Sequence, residues 1–365
     1  MNAAFKSFLI RALAGAFLLL LDPVSSFAAP TPMLSASDSR FRYEGRFDRA
    51  DPAQPVVIWA GDRISVDFEG GALAVHFGPA TGQSFFNVTV DGVTAVASGA
   101  DGRFAWPHPL APGRHQLRIV KRSEADAGHV VFRGIEVAVG ARAWAPAAPA
   151  YKLRLQFLGD SITAGANNED AEVDQWEDRR THNHALSYGF LTSQELGADH
   201  RAVAVSGMGI GEGFVPMRVA ETWDKVYPRD RPERVDRSVW VPDVVAVNFG
   251  ENDSAFPRTE GRPFAKDFAV RYVAFIRSVR AAWPKAQLVL LRGGMSGGAN
   301  DPDLRAAWEA AVQELEADDP RISHFVFNHW TGHHPRVADH RVMAAELTGW
   351  LKRQPWMAPF RVGNH

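Results

Sequence analysis

Cysteine is absent from the 365 residues. Structural disulfides, thiolate nucleophiles and cysteine-ligated zinc or iron–sulfur centres are excluded together. Any nucleophile or metal ligand must use other side chains. An excess of charge of either sign is also missing: 40 Lys and Arg stand against 42 Asp and Glu, a formal net charge of −2. No overall positive field exists to hold a phosphate backbone, which argues against nucleic acid as a partner. Residues 12–21 form an uncharged, mostly apolar run, about half of the ~20 residues that a bilayer-spanning helix needs. What is present is the composition of a folded protein, 46% hydrophobic and 22% charged, which excludes disorder, coiled coil and collagen. At about 150 residues per domain the length suggests two domains.

Lys6 and Arg11 give the apolar run a positive start, Pro23 and Pro30 break any helix beyond it, and Ser26-Phe27-Ala28 offers small residues where a signal peptidase reads. This pattern predicts a signal peptide over residues 1–28, cleaved after Ala28. The expected mature chain is secreted or periplasmic and holds to no membrane, since without cysteine there is no lipoprotein anchor.

Residues 38–140 are expected to form an all-β sandwich. Apolar positions there follow period two, in runs such as residues 63–68, 85–90 and 130–137, separated by Gly61, Gly70-Gly71, Asp91-Gly92 and Pro112-Gly113. Residues 141–152, with Pro146 and Pro149 among alanines, read as a linker. From 153 to 357 strands alternate with helices, which calls for a parallel sheet with helices on both faces. The strands are expected at 153–158, 202–205, 244–249, 287–291 and 322–327, and helices at 185–196, 268–282, 302–317 and 337–351.

Four short blocks fall at strand ends of this second half, where open α/β sheets carry their active sites. Gly159-Asp160-Ser161 ends the first strand, and Ser161 is either a nucleophile or the cap of the following helix. In Ser206-Gly207-Met208-Gly209, Gly207 lets a backbone N–H approach a ligand closely. Gly250-Glu251-Asn252-Asp253 offers the Asn252 amide as a second donor to a developing oxyanion, or as a turn former. His333-His334-Pro335 supplies a base ahead of the last helix.

The order of these blocks resembles the SGNH or GDSL hydrolase superfamily. Phe85-Phe86-Asn87-Val88, Asp91-Gly92, Gly113-Arg114-His115 and Val120-Lys121-Arg122 in the first half are similar to the sandwich of family 2 carbohydrate esterases. The resemblance implies a flavodoxin-like three-layer hydrolase domain preceded by a jelly-roll. It also implies a serine esterase that removes O-acetyl groups from polysaccharides or oligosaccharides without a cofactor or metal. Ser161 becomes the nucleophile and His334 the base. The Ser161 and Gly207 N–H groups with the Asn252 side chain become the oxyanion hole, and Trp330 an aromatic wall for the sugar. The chain departs from the pattern at the acid: Thr331 and Gly332 stand where an aspartate is usual. A Ser161–His334 dyad is the simplest reading, with a backbone carbonyl or another acid fixing the His334 tautomer and Asp339 a poor substitute.

His333, His334, Asp339 and His340 do not make a metal cluster on spacing, since His334 and His340, six apart, share no helical face. His182-Asn183-His184 reads as a solvated loop rather than a nuclease motif. A GDSL-type lipase or thioesterase, and a carbohydrate-binding protein with a decayed site, are the competing functions. The oligomeric state is left open.

Overall fold

The computed structural model describes residues 33–229 and 231–360; the expected signal peptide lies outside them. Among the described residues two antiparallel sheets come first. One holds β1 (Met33–Ser35), β3 (Val56–Val57), β5 (Leu73–Ala80), β8 (Arg103–Ala105) and β10 (Val130–Val137). The other holds β2 (Arg42–Glu44), β4 (Arg63–Glu69), β6 (Phe85–Val90), β7 (Val93–Ser98), β9 (Arg114–Lys121) and β11 (Ala143–Trp144). Alternation decides which face is inside. Along β9, His115, Leu117 and Ile119 are buried while Arg114, Gln116 and Arg118 are exposed. The inner faces meet through Ile64, Val66, Phe68, Val88 and Leu117 on one side and Val75, Phe132 and Ile135 on the other. Phe77 stacks on Phe86 between them, ring centroids 4.8 Å apart. Within the stretch read as a linker, Ala143–Trp144 pairs with Asp67 and Phe68 of β4, a backbone edge that composition does not signal.

The second half is a parallel sheet in the order β13 (Asp199–Ala204), β12 (Arg154–Gly159), β14 (Val244–Asn248), β15 (Gln287–Arg292), β16 (Ile322–Val326). In chain order this is 2-1-3-4-5, the flavodoxin-like arrangement, and β12 and β14 flank its switch point. Every residue of β14 and β15 is buried, because helices cover both faces. One covering helix, α5 (Phe268–Ala282), buries Phe268, Tyr272, Phe275, Ile276 and Val279, spaced three and four apart, and ends ahead of Pro284. Another, α7 (Pro302–Asp318), starts on proline with Asp301 capping the N–H groups of Asp303 and Leu304. The last, α8 (Val337–Arg353), buries Met343, Leu347 and Leu351. No described helix is long and apolar enough to cross a membrane.

The two halves share a core. Ile58, Trp59 and Ala125 of the first pack with Trp223, Tyr227 and Phe249 of the second. Trp59 is 1% exposed, and its indole N–H donates to the Val226 carbonyl at 2.7 Å. Trp59→Ala is expected to remove about 3–5 kcal/mol of stability. Chemical denaturation should show the loss as a lower midpoint of one cooperative transition. A separate early transition of the sandwich would contradict the shared core.

Candidate active site

Ser161 opens the four-residue helix α1 (Ser161–Ala164) directly after β12. The cap of that helix is Asp160, whose Oδ1 accepts from the Ile162 N–H at 3.1 Å. Ser161 is therefore not the cap, and its hydroxyl lies 2.8 Å from His334 Nε2. His334 sits on the segment ahead of α8, opposite the ends of β12 and β14.

The expected dyad is corrected by the structure: His334 has an acid. Asp174 Oδ2 stands 2.6 Å from His334 Nδ1 and also accepts from the His334 backbone N–H at 3.1 Å. A carboxylate can only accept, so the ring proton sits on Nδ1 and Nε2 is left to accept from the Ser161 hydroxyl. Arg336 donates to the other carboxylate oxygen at 2.7 Å. Partial burial pushes the Asp174 carboxyl up, but the hydrogen bonds from His334 and Arg336 outweigh it and hold the group well below the ordinary carboxylate range. Asp339 is occupied elsewhere, accepting from the Arg336 N–H at 2.8 Å and facing His329 Nε2 at 2.7 Å.

Asp174 lies on the loop between α1 and α2 (Tyr188–Glu195), 160 residues before its histidine. Local bonds build that loop: Asp170 Oδ2 accepts from Asn167 Nδ2 and from the Gln175 N–H, both at 2.9 Å. No spacing rule points to Asp174. The available signal is the concentration of carboxylates at Glu169, Asp170, Glu172 and Asp174 soon after the nucleophile block.

Ser161, Gly207, Asn252 and His334 line one cavity of about 470 Å³. Gly207 has φ +78°, and a Cβ there would come within 3.1 Å of the Phe214 Cβ, so glycine alone suits the position. Its N–H donates to no protein acceptor among the described residues. The Ser161 N–H, first in its helix, has no intrahelical acceptor either. Asn252 is found in the first turn of α4 (Glu251–Thr259) rather than in a loop. Its Nδ2 donates to the Met208 carbonyl at 3.0 Å and to Asp160 Oδ2 at 3.2 Å. Burial, reinforced by the charges of Glu251 and Asp253, pushes Asp160 well above the ordinary carboxyl range.

Trp330 is 44% exposed and is not among the residues lining the cavity. The indole on the cavity wall is Trp176, edge-on to the His334 ring at 5.1 Å, with the Arg179 guanidinium 4.8 Å from its centre. Glu124 and Asp126, carried on the β9–β10 connection of the sandwich, also line the cavity.

Comparison with known proteins agrees with this architecture. Residues 43–147 match the carbohydrate esterase 2 N-terminal domain, and residues 157–341 match the GDSL-like lipase/acylhydrolase family. The cellulase/esterase CelE of Acetivibrio thermocellus is 29% identical over 330 residues, 86% of this chain, which spans 39% of that protein's length. An acetylxylan esterase/glucomannan deacetylase of Cellvibrio japonicus is 24% identical over 323 residues, 83% of this chain and 87% of the relative. A solved family two carbohydrate esterase from Clostridium thermocellum, in complex with cellohexaose, superposes with TM-score 0.76 at 28% identity, covering 86% of this chain and 98% of that one. The chain belongs to the GDSL-like lipase/acylhydrolase family, with a carbohydrate esterase 2 N-terminal domain ahead of the hydrolase domain.

Proposed function

We propose that this protein removes O-acetyl groups from the sugar hydroxyls of polysaccharides or oligosaccharides, through an acyl-enzyme on Ser161, after export from the cell. The observation that carries the reading is the line Ser161 Oγ to His334 Nε2 at 2.8 Å and His334 Nδ1 to Asp174 at 2.6 Å, at the wall of a cavity. Substrate class is supported by the relatives named for acetylxylan, glucomannan and cellohexaose, and export by the pattern of residues 1–28.

In the proposed chemistry the Ser161 oxygen bonds to the acetyl carbonyl carbon as its proton passes to His334 Nε2. The carbonyl oxygen becomes an oxyanion received by the Ser161 and Gly207 N–H groups and by Asn252 Nδ2. The longer Asn252 bond, to Asp160, is the one the oxyanion displaces. Collapse breaks the bond to the sugar oxygen, which takes the Nε2 proton, and acetyl-Ser161 remains. Water then attacks with His334 as base, releasing acetate and restoring Ser161.

Purified protein is expected to release acetate from acetylated xylan or glucomannan and p-nitrophenol from the acetate ester, and to turn over the palmitate ester far more slowly. A preference for palmitate would make it a lipase. Glycan binding without acetate release would make it a binding protein. Asn252→Ala is expected to lower kcat by on the order of a hundredfold, the loss typical of one oxyanion donor, with KM moving much less. A change confined to KM would make Asn252 a binding residue instead.

A further inference from the structure

We propose that Glu124, a side chain of the sandwich, positions the Gly207 N–H of the hydrolase site, so that the sandwich is a working part of the ester-cleaving machinery. The proposal rests on the reading above of Gly207 as an oxyanion donor.

The β9–β10 connection leaves the sandwich and enters the other half of the molecule. Glu124, in that connection, is 2% exposed. Its Oε2 accepts from the Ser206 backbone N–H at 2.6 Å, one residue before Gly207. The loop that follows is held by side chains at three places. Glu124 takes Ser206, Asn252 donates to the Met208 carbonyl at 3.0 Å, and Asp253 accepts from the N–H groups of Ile210, Gly211 and Glu212 at 2.9, 2.7 and 3.2 Å. Two of the three belong to the hydrolase's own Gly-x-Asn-Asp block. The third comes from the sandwich, and with the Met208 anchor it brackets the Ser206–Gly207 peptide, whose two residues line the cavity and whose N–H donates to no protein acceptor among the described residues. Without it, the Val205 N–H on the Gly159 carbonyl and the Met208 N–H on the Val205 carbonyl, both at 3.3 Å, still hold the chain before the peptide, but the Ser206 N–H loses its side-chain acceptor.

Glu124 is itself held. Lys121, fully buried, donates its ammonium to the carbonyls of Ser123 at 2.8 Å and Glu124 at 3.0 Å, and the Phe85 N–H donates to Ser123 Oγ at 3.0 Å. The second carboxylate oxygen faces the Arg179 guanidinium at 3.4 Å. Taking a carboxylate and an ammonium out of water carries a desolvation cost. An apolar pair would fill the same space without that cost, whereas only an acceptor at the Glu124 position can hold the Ser206 N–H.

The test compares Glu124→Ala, Glu124→Asp and Glu124→Gln in the full chain, reading kcat and KM on p-nitrophenyl acetate and the affinity of methylboronic acid, whose tetrahedral adduct on Ser161 uses the same oxyanion donors. Glutamine keeps an acceptor at the same reach; aspartate keeps the charge but withdraws the acceptor by one methylene. Glu124→Ala and Glu124→Asp are expected to lose about tenfold or more in kcat and in boronate affinity with KM within about threefold, and Glu124→Gln to stay within about fivefold of wild type. If the alanine variant does not fold, the contrast between aspartate and glutamine carries the test. Equal activity in aspartate and glutamine variants, or a loss confined to KM or thermal stability, overturns the proposal. If the wild-type protein cleaves no ester, the functional reading fails separately. Amide hydrogen exchange across residues 205–209 then decides the positioning claim: exchange should quicken in Glu124→Asp and not in Glu124→Gln, and equal exchange in the two overturns it.

Discussion

Ser161→Ala is expected to lower kcat on p-nitrophenyl acetate by about four to six orders of magnitude, the range reached when a serine hydrolase loses a nucleophile that acts as one unit with its base. The hydroxyl is the only group on this side chain that can form the acyl-enzyme, and methyl cannot replace it. The fold should be unchanged. Ser161 is buried in a short helix whose cap is Asp160, and losing the hydroxyl removes one hydrogen bond, worth about 0.5–1.5 kcal/mol. His334 keeps its contact with Asp174. Circular dichroism and the thermal midpoint check the fold; titration of acetylated oligosaccharide onto the inactive variant checks that the cavity still binds. Residual activity above about a tenth of wild type would be too large for a missing nucleophile and would show that another group attacks.

The parts of this site that sequence made legible are those fixed by strand ends. β14 is buried along its whole length and reads as a continuous apolar run, β12 and β13 alternate, and the glycine-containing blocks after these three strands mark where the chain leaves the sheet. The candidacy of Ser161, Gly207 and Asn252 follows from that placement, while the roles assigned to them rest on the family resemblance; the extent of α5 follows from its three-and-four spacing. The local state of Asn252 did not follow, because Gly250 at φ +127° and Pro257 inside the helix both read as loop signals although α4 begins between them. Asp174 and Glu124 were not legible for a different reason. Each is placed by a loop whose course depends on partners far along the chain: Arg336 for the first, Ser206 and Arg179 for the second. Trp330 illustrates the reverse case, a residue named by resemblance whose ring in this chain is left outside the lining, while Trp176 on the Asp174 loop takes the wall.

That loop makes Asp174→Asn the most informative substitution after Ser161. A carboxylate on Nδ1 fixes the tautomer that leaves Nε2 free for the Ser161 proton, and its charge stabilises the imidazolium formed as that proton moves. Asparagine keeps the shape and loses the charge, and an amide N–H turned toward Nδ1 selects the wrong tautomer. The expected loss is about two to four orders of magnitude in kcat, with KM moving far less. Asp339→Asn, by contrast, should be nearly silent in activity, because Asp339 serves the Arg336 N–H and His329. Stability supplies an independent check. A carboxyl held below its unfolded value stabilises the fold above that value, 3.8, and loses this contribution as pH falls through the folded one. Wild type should therefore lose this share of stability on acidification below about pH 4, and Asp174→Asn should lack that step. If kcat of Asp174→Asn stays within about fivefold of wild type while the acid step disappears, the carboxylate serves the fold alone, and Ser161 and His334 work as the dyad that Thr331 and Gly332 suggest.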